Sequence, residues 1–398
     1  PYVHASTTNN GNFRVCCHSL IPIGPYNINS HTLPEVWNSA EYNNIRTALN
    51  NHEFPIQCTH CKKLEDQGIY SPRHLNNETH KITFDTIPAL PYDLDLKIGT
   101  QCNLKCITCF PGASNQHQKE LDNWKQQNQD IPLAFKKWEN ILTTFNLDPK
   151  LFETSFDPDA AFNSLKDCFN EPVYLSLVGG EPLINTSVIR FLELCTKHGY
   201  QNNINLTVIT NLTSIDTKIF KYLNQFSTTL YVSFDHITPD KFNYIRYPAN
   251  FDIFLNNFNQ LFQYENISIK LSTTWSIFNI RDMPVILNYW DKLCYNKVVP
   301  IQINIVEEPS YFSIKYLPQH IKLSTATELS LFLETQQLQI LRNTPTAVEQ
   351  IKGLITALNS EPDDFITIQK EQLRVLELYD TTRGTNSKQL FPFIYEYR

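Results

Sequence analysis

No stretch of the 398-residue sequence approaches the roughly 20 consecutive apolar residues that a membrane-spanning helix needs. The first residues, Pro1 to Asn12, also lack a basic segment followed by an apolar one. A non-secreted, cytoplasmic protein with no membrane partner is therefore the expectation. The missing initial Met predicts a chain that is processed or excerpted from a longer one. Positive charge is scarce too: 33 Lys and Arg stand against 40 Asp and Glu, a formal net charge of −7. A phosphate-binding surface normally needs a basic excess or a clustered Lys/Arg stripe, so nucleic acid is excluded as an expected partner. Neither an internal repeat nor a low-complexity tract interrupts the chain. Its length predicts two to three domains and is ample for a buried core.

What the sequence does have is cysteine, ten in all. A chain of this length without a secretory pattern has little need of disulfides, so thiols serving metal are the better reading. Seven fall in three tight groups: Cys16 and Cys17, then Cys58 and Cys61, then Cys102, Cys106 and Cys109. Cys168, Cys195 and Cys294 stand alone and read as small buried residues.

Periodicity and turn residues divide the chain into three zones. Residues 1–91 are irregular and rich in Asn, His, Thr and Pro, with one helix-like stretch at Leu33 to Asn50 and too little periodicity for a large core. Small cysteine-bearing segments of this kind depend on metal for their fold. Over residues 92–323 strands and helices alternate. Strands are expected at Asp93–Ile98, Val173–Val178, Asn205–Ile209, Thr229–Phe234, Ile267–Ser276 and Val299–Val306, with amphipathic helices at Ser187–His198, Thr217–Gln225, Phe251–Tyr264 and Met283–Lys292. Six β/α repeats imply parallel strands with right-handed crossovers. The expected fold is thus α/β, a partial (β/α)6 TIM-like barrel, with a doubly wound sheet as the competing architecture. The long first connection is expected to hold helices at Ala134–Phe145 and Asp159–Phe169 over the C-terminal rim, where active sites lie. Residues 324–398 read as a helical extension, with helices at Thr325–Arg342, Thr346–Leu358 and Asp363–Tyr379. Ser324 and Thr325 are candidate N-caps, and Glu328 would complete a capping box.

Chemistry concentrates at two strand ends. Cys102, Cys106 and Cys109 form a C-x3-C-x2-C loop directly after the first barrel strand. Three thiolates are one short of the four that a cubane iron–sulfur cluster or tetrahedral zinc takes, so such a site leaves a position open for a non-protein ligand. Structural zinc would need a fourth ligand, for which His117 is a distant candidate. After the second strand comes Val178-Gly179-Gly180-Glu181-Pro182. Its paired glycines allow close backbone approach to a ligand, and its carboxylate can accept from an ammonium group. Read alone it could equally be a Gly-Gly turn before a helix whose first turn favours an acid.

This pairing resembles the radical S-adenosylmethionine (radical SAM) superfamily. Gly11-Asn12-Phe13-Arg14-Val15-Cys16-Cys17, Leu33-Pro34-Glu35-Val36-Trp37-Asn38-Ser39 and Cys58-Thr59-His60-Cys61 look like the auxiliary-cluster region of the SPASM/twitch subgroup, placed here before the barrel. Tyr244-Ile245-Arg246-Tyr247, Leu317-Pro318-Gln319-His320-Ile321-Lys322 and Tyr379-Asp380-Thr381-Thr382-Arg383-Gly384 also read like recurrent segments of that subgroup.

The resemblance implies a SAM-binding 4Fe-4S cluster on Cys102, Cys106 and Cys109, with S-adenosylmethionine bound through Gly179, Gly180, Glu181, Thr210, Asn211, Ser233 and Asp235. It implies a second, auxiliary iron–sulfur cluster drawing on Cys16, Cys17, Cys58 and Cys61. Adjacent residues of an extended chain point to opposite sides, so only one of Cys16 and Cys17 need ligate. His4, His18, His60, a residue before Pro1 or a substrate could supply a missing ligand. An electron donor such as a flavodoxin or ferredoxin is implied, and the expected reaction is hydrogen abstraction from a peptide or protein. A small-molecule radical dehydrogenase or mutase, and a non-catalytic metal-stabilised binding protein, are the alternatives. Two departures from the family pattern stand out. Thr108 precedes the third cysteine where an aromatic residue is common, with Phe110 after it, and the fourth strand ends Ser233-Phe234-Asp235-His236, where many relatives have glycine after the aspartate. His236 is accordingly a candidate catalytic residue, although a solvated or core histidine is the plainer reading.

Overall fold

A computed structural model describes residues 2–19, 21–66, 71–81, 87–144, 156–295, 297–344 and 346–396. Its strands are β1 (His4–Thr7), β2 (Phe13–Arg14), β3 (Asp93–Lys97), β4 (Val173–Val178), β5 (Ile204–Thr210), β6 (Ser227–Ser233), β7 (Ile267–Trp275) and β8 (Ile301–Ile305). They form one sheet in the order β2-β1-β3-β4-β5-β6-β7-β8, parallel throughout except for β2. Each expected barrel strand is present within about two residues, so the α/β partial barrel stands.

The strands alternate strictly. Leu94, Leu96, Leu175, Leu177, Leu206, Val208, Leu230, Val232, Ile269 and Leu271 are buried under the helices. The intervening positions, Asp95, Lys97, Ser176, Thr207, Tyr231, Ser233, Lys270 and Ser272, are polar and lie on the opposite, concave face. A parallel sheet covered on both sides reads as continuous apolar runs, so this alternation means that one face is left for solvent and ligands. On the covered face Trp290 packs against Phe234, Phe258 and Phe254, with ring centroids 4.5, 4.9 and 6.3 Å away.

The sheet has two more strands than expected. β1 and β2 are only four and two residues long, below the length at which alternation is visible in sequence. β1 adds parallel to β3, with Ser6 opposite Asp95, and β2 folds back on it. The N-terminal zone accordingly shares the barrel's core: Tyr2, Val3, Phe13, Val15, Leu33, Val36, Trp37 and Tyr42 are buried in the same continuous cluster. Arg46 caps this packing with its guanidinium 4.1 Å from the Trp37 ring and 4.6 Å from Tyr42.

In the long connection after β3, helices run over Asn115–Gln126, Leu133–Thr144 and Pro158–Leu165, the last continued by a 3-10 turn at Lys166–Asn170. Phe145 lies outside the described residues, and the first of these helices was not expected. The extension differs at one end. Its first helix is Gln319–Thr335, starting six residues before Thr325, because Pro318 serves as its N-cap position. Ser324 is therefore inside the helix, where its hydroxyl donates to the Ile321 carbonyl. The chain breaks at Gln336 and resumes as a short turn of helix at Gln339–Arg342. Helix Ala347–Leu358 covers the β8 edge, and the Thr344 hydroxyl accepts from the Ile301 N–H at 2.8 Å. Helix Phe365–Arg383 runs four residues beyond Tyr379 before Gly384, at φ 65°, closes it in the left-handed conformation.

Candidate functional site

The cysteine loop after β3 is held from several sides. Ile107 and Leu104 anchor it in the core, and the Lys105 and Ile107 N–H groups donate to the carbonyls of Tyr247 and Ile245, each at 2.8 Å. Ser114 Oγ donates to the Leu104 carbonyl at 2.7 Å, and His117 Nε2 bonds the Cys106 carbonyl at 2.8 Å. His117 is fully buried and does not line the cavity that the three thiols line, so it is not placed as a fourth metal ligand. Cys102, Cys106 and Cys109 all line one cavity of about 510 Å³, a size typical of small-molecule sites. Burial pushes all three thiols up, Cys109 to about 12. A positive metal centre is what would turn such thiols into ligands. Among the described residues no three His, Cys, Asp or Glu side chains converge closely enough to hold a single ion.

The wall opposite the loop is the Gly179-Gly180-Glu181 turn. Gly180 has φ 47°, and a Cβ there would sit 2.2 Å from the Gln101 carbonyl oxygen. Gly179, at φ 108°, would bring a Cβ within 2.8 Å of the Gly99 carbonyl. The close packing that demands glycine is therefore the turn against the strand β3 exit, and it fixes Glu181 toward the cavity. Glu181 is 1% exposed and accepts from Thr210 Oγ1 (2.6 Å), Asn211 N–H (2.6 Å) and Leu183 N–H (3.0 Å). Burial raises its pKa despite these donors. Three of about four acceptor positions are thus used, which leaves one for a ligand donor.

Thr210 and Asn211 line the cavity, but their polar groups serve its walls: Thr210 holds Glu181, and Asn211 Nδ2 donates to Asn103 Oδ1 at 2.9 Å. Ser233 also faces the cavity. Asp235 does not line it. It sits behind the wall, accepting from Arg246 at 2.8 Å and from the Thr274 N–H at 3.0 Å. Arg246 itself does line the cavity, and sequence reasoning named it only within a recurrent segment. His236 is buried outside the cavity. Its Nδ1 accepts from the N–H groups of Ile237 and Thr238, and its Nε2 bonds Asp282 at 2.8 Å, so both nitrogens are engaged as in a structural histidine. Phe110 is 41% exposed and stands edge-on to Trp138, 5.6 Å between centroids, and both rings line the cavity.

A second cavity of about 290 Å³ lies against the lower concave face. It is lined by Cys16, Cys17, Cys58 and Cys61 together with His4, His18 and His60. Cys58 and Cys61 stand at the start of helix Thr59–Asp66, three residues apart and so on one side of it. Cys16 acts electrostatically on both of them, and burial, the larger effect, pushes Cys58 up to about 11. His4 Nδ1 is bound to Asp93 at 2.8 Å, leaving a buried Nε2 without a partner among the described residues. His18 and His60 stack with centroids 5.1 Å apart. Cys17 lines both cavities, and it is the single cysteine that does so.

With this geometry in view, the family model described as the Radical SAM superfamily matches residues 96–274, and that of an iron-sulfur cluster-binding domain, SPASM, matches residues 1–62. Among curated proteins, the uncharacterized protein MJ0907 of Methanocaldococcus jannaschii is 27% identical over 144 residues, 36% of this chain and 38% of that protein. The chain therefore aligns with well under half the length of that relative. Among solved structures, anSMEcpe with bound AdoMet matches 62% of this chain and 63% of its own at 17% identity, with a TM-score of 0.43. SuiB of Streptococcus suis bound to precursor peptide SuiA matches 86% of this chain and 75% of its own at 14% identity, with a TM-score of 0.39.

Proposed function

Because the chain belongs to the radical SAM superfamily and to its SPASM subgroup, we propose that it modifies a peptide or protein through hydrogen abstraction, with Cys102, Cys106 and Cys109 holding the SAM-binding 4Fe-4S cluster. Membership brings an enzyme that uses SAM, a 4Fe-4S cluster and an auxiliary iron–sulfur cluster. When bound, the cluster and SAM supply reductive cleavage of the sulfonium to methionine and a 5'-deoxyadenosyl radical.

The chain's own residues have the remaining tasks. Glu181 accepts from the methionyl ammonium with its free lone pair, in an orientation set by Thr210 and the Asn211 N–H. Arg246, backed by Asp235, meets the carboxylate, with Ser233 beside it. Gly179 and Gly180 bring backbone close to the ligand. Phe110 and Trp138, packed edge-on, give the cavity an apolar wall. Cys16, Cys58 and Cys61 take the auxiliary cluster, and Cys17 stands outside that set. Residues 1–91, 92–323 and 324–398 are its auxiliary-cluster, barrel and helical parts. Among the described residues no helix is long and apolar enough to cross a membrane, and we place the protein in the cytoplasm beside a flavodoxin- or ferredoxin-type reductant.

One observation carries this reading: two cysteine-lined cavities open on the same concave face and share the Cys17 wall. Anaerobic reconstitution with iron and sulfide tests it. The expected result is iron for two clusters and 5'-deoxyadenosine from SAM under reductant. Protein that retains both clusters yet forms no 5'-deoxyadenosine would refute it.

A further inference from the structure

Two cations on the side of the barrel cavity that faces the second one lie outside the set of residues assigned to SAM. Arg14 on β2 and Lys97 at the end of β3 both line the barrel cavity, and neither lines the second one. Arg14 is 7% exposed. Its Nε donates to Ser6 Oγ at 3.0 Å and its Nη1 to the Ser19 carbonyl at 3.1 Å, which fixes the guanidinium plane. Among the described residues its Nη2 is buried without a hydrogen-bond partner. A buried donor left without a hydrogen bond is destabilising, so one kept in a cavity wall calls for an explanation.

The other charges lining that cavity are already committed. Arg246 is paired with Asp235, and Glu181 is saturated by three protein donors but for one position. Lys97 makes a long ion pair with Asp95, whose Oδ1 is 3.8 Å from Nζ, and Asp95, which lines the second cavity, also offsets the charge of Arg14. Two cations thus share one carboxylate, and Arg14 and Lys97 together present one excess positive charge to the cavity that SAM, itself a sulfonium, enters. A cationic substrate group would be repelled there. An oriented guanidinium beside an ammonium suits an anion with two oxygens.

We propose, resting on the peptide reading above, that Arg14 and Lys97 form a subsite for a substrate carboxylate. An acidic side chain or a chain terminus can supply that group, and the adjoining Phe110, Trp138 and Ile141 give its carbon chain an apolar wall. The test uses the full chain with both clusters reconstituted and SAM present. Its probes are three short N-blocked peptides: one with Glu and an amidated C-terminus, its Gln isostere, and the Gln isostere with a free C-terminal carboxylate. Direct anaerobic binding should favour one carboxylate peptide over the amidated Gln peptide by at least about tenfold, the scale of one charge-assisted hydrogen bond. The peptide that gains identifies the source of the carboxylate. Lys97→Met should erase the preference while iron content stays unchanged. Equal binding of the three peptides, no binding of any, or a preference that survives Lys97→Met would each overturn the proposal. Binding is read without turnover, so a failure to form 5'-deoxyadenosine in the same samples would refute the radical reading separately.

Discussion

Replacing Glu120 should damage the protein more than its distance from the cavity suggests. Glu120 lies on the helix following the cysteine loop, with its carboxylate 1% exposed. It accepts a two-pronged contact from Arg383, 3.0 Å from Nε and 2.7 Å from Nη2, and a third contact from Lys105 Nζ at 2.9 Å. The Arg383 side chain is 2% exposed and stacks over Tyr379 at 4.0 Å. The last turn of the C-terminal helix is thereby bound to the residue preceding Cys106. In Glu120→Gln the guanidinium stays buried without a countercharge, which costs about 3–5 kcal/mol. Arg383→Met leaves Glu120 its Lys105 partner, so the lower end of that range is expected. Unfolding entropy of about 2.1 cal/mol/K per residue over 398 residues is about 0.8 kcal/mol/K, so Glu120→Gln should lower Tm by about 4–6 °C.

Anaerobic calorimetry on wild type, both single variants and the double variant closes the cycle. The double variant should lose less than the two singles together, because Arg383→Met removes the very charge that Glu120→Gln strands. Burial pushes the Glu120 carboxyl up, but the Arg383 contacts outweigh this and hold it below the usual range. Its contribution is therefore complete above the unfolded carboxyl pKa and disappears as pH falls through the lower folded value. The Glu120→Gln deficit should accordingly shrink in acid. A Tm change under about 1 °C, or strict additivity in the double variant, would refute the coupling.

Gly180→Ala should abolish SAM binding, measured by equilibrium dialysis, because its Cβ meets the Gln101 carbonyl at 2.2 Å and the turn must move. Cys16→Ala should lose the iron of the auxiliary cluster, whereas Cys17→Ala should keep it; equal iron in the two variants would contradict the assignment of sides. Burial opposes ionisation of Asp282, but hydrogen bonds from His236 and Lys241 bring its pKa from 3.8 down to about 2. Its stabilisation is present above about pH 4 and lost toward pH 2, so wild type and Asp282→Asn should differ in Tm at pH 6 and converge near pH 2.

The barrel was legible because its strands are long enough to show alternation and its two motifs sit at strand ends, where loop chemistry and turn chemistry coincide. β1 and β2 were not, since strands of four and two residues carry no period and gain their stability from pairing with β3. The helix at Gln319 was set too late because Thr325 and Glu328 imitate a capping box, while Pro318 is the residue that begins the helix. Within the site, residue type pointed to Asp235 and His236, which the fold buries outside the cavity, and gave no role to Arg14 and Lys97. Nothing in a local pattern marks an arginine whose importance lies in a missing partner. That is a property of burial, and only three-dimensional packing supplies it.

Strand β3 explains why these parts belong together. Asp95 and Lys97 share its concave face, two residues and so about 7 Å apart, and each lines a different cavity. The hairpin of β1 and β2 docks along this same strand, which places Arg14 opposite Ser6 and Ser6 opposite Asp95. The chain then passes directly from Arg14 to Cys16 on the side of Cys58 and Cys61, with Cys17 turned to the shared wall. A group held by Arg14 and Lys97 would therefore lie in the barrel cavity, about two strand residues from the second one. Were the N-terminal zone a detached metal-bound module, neither the shared core nor this register would be required. Sheet pairing with β3 makes the second cavity part of the barrel's own concave face.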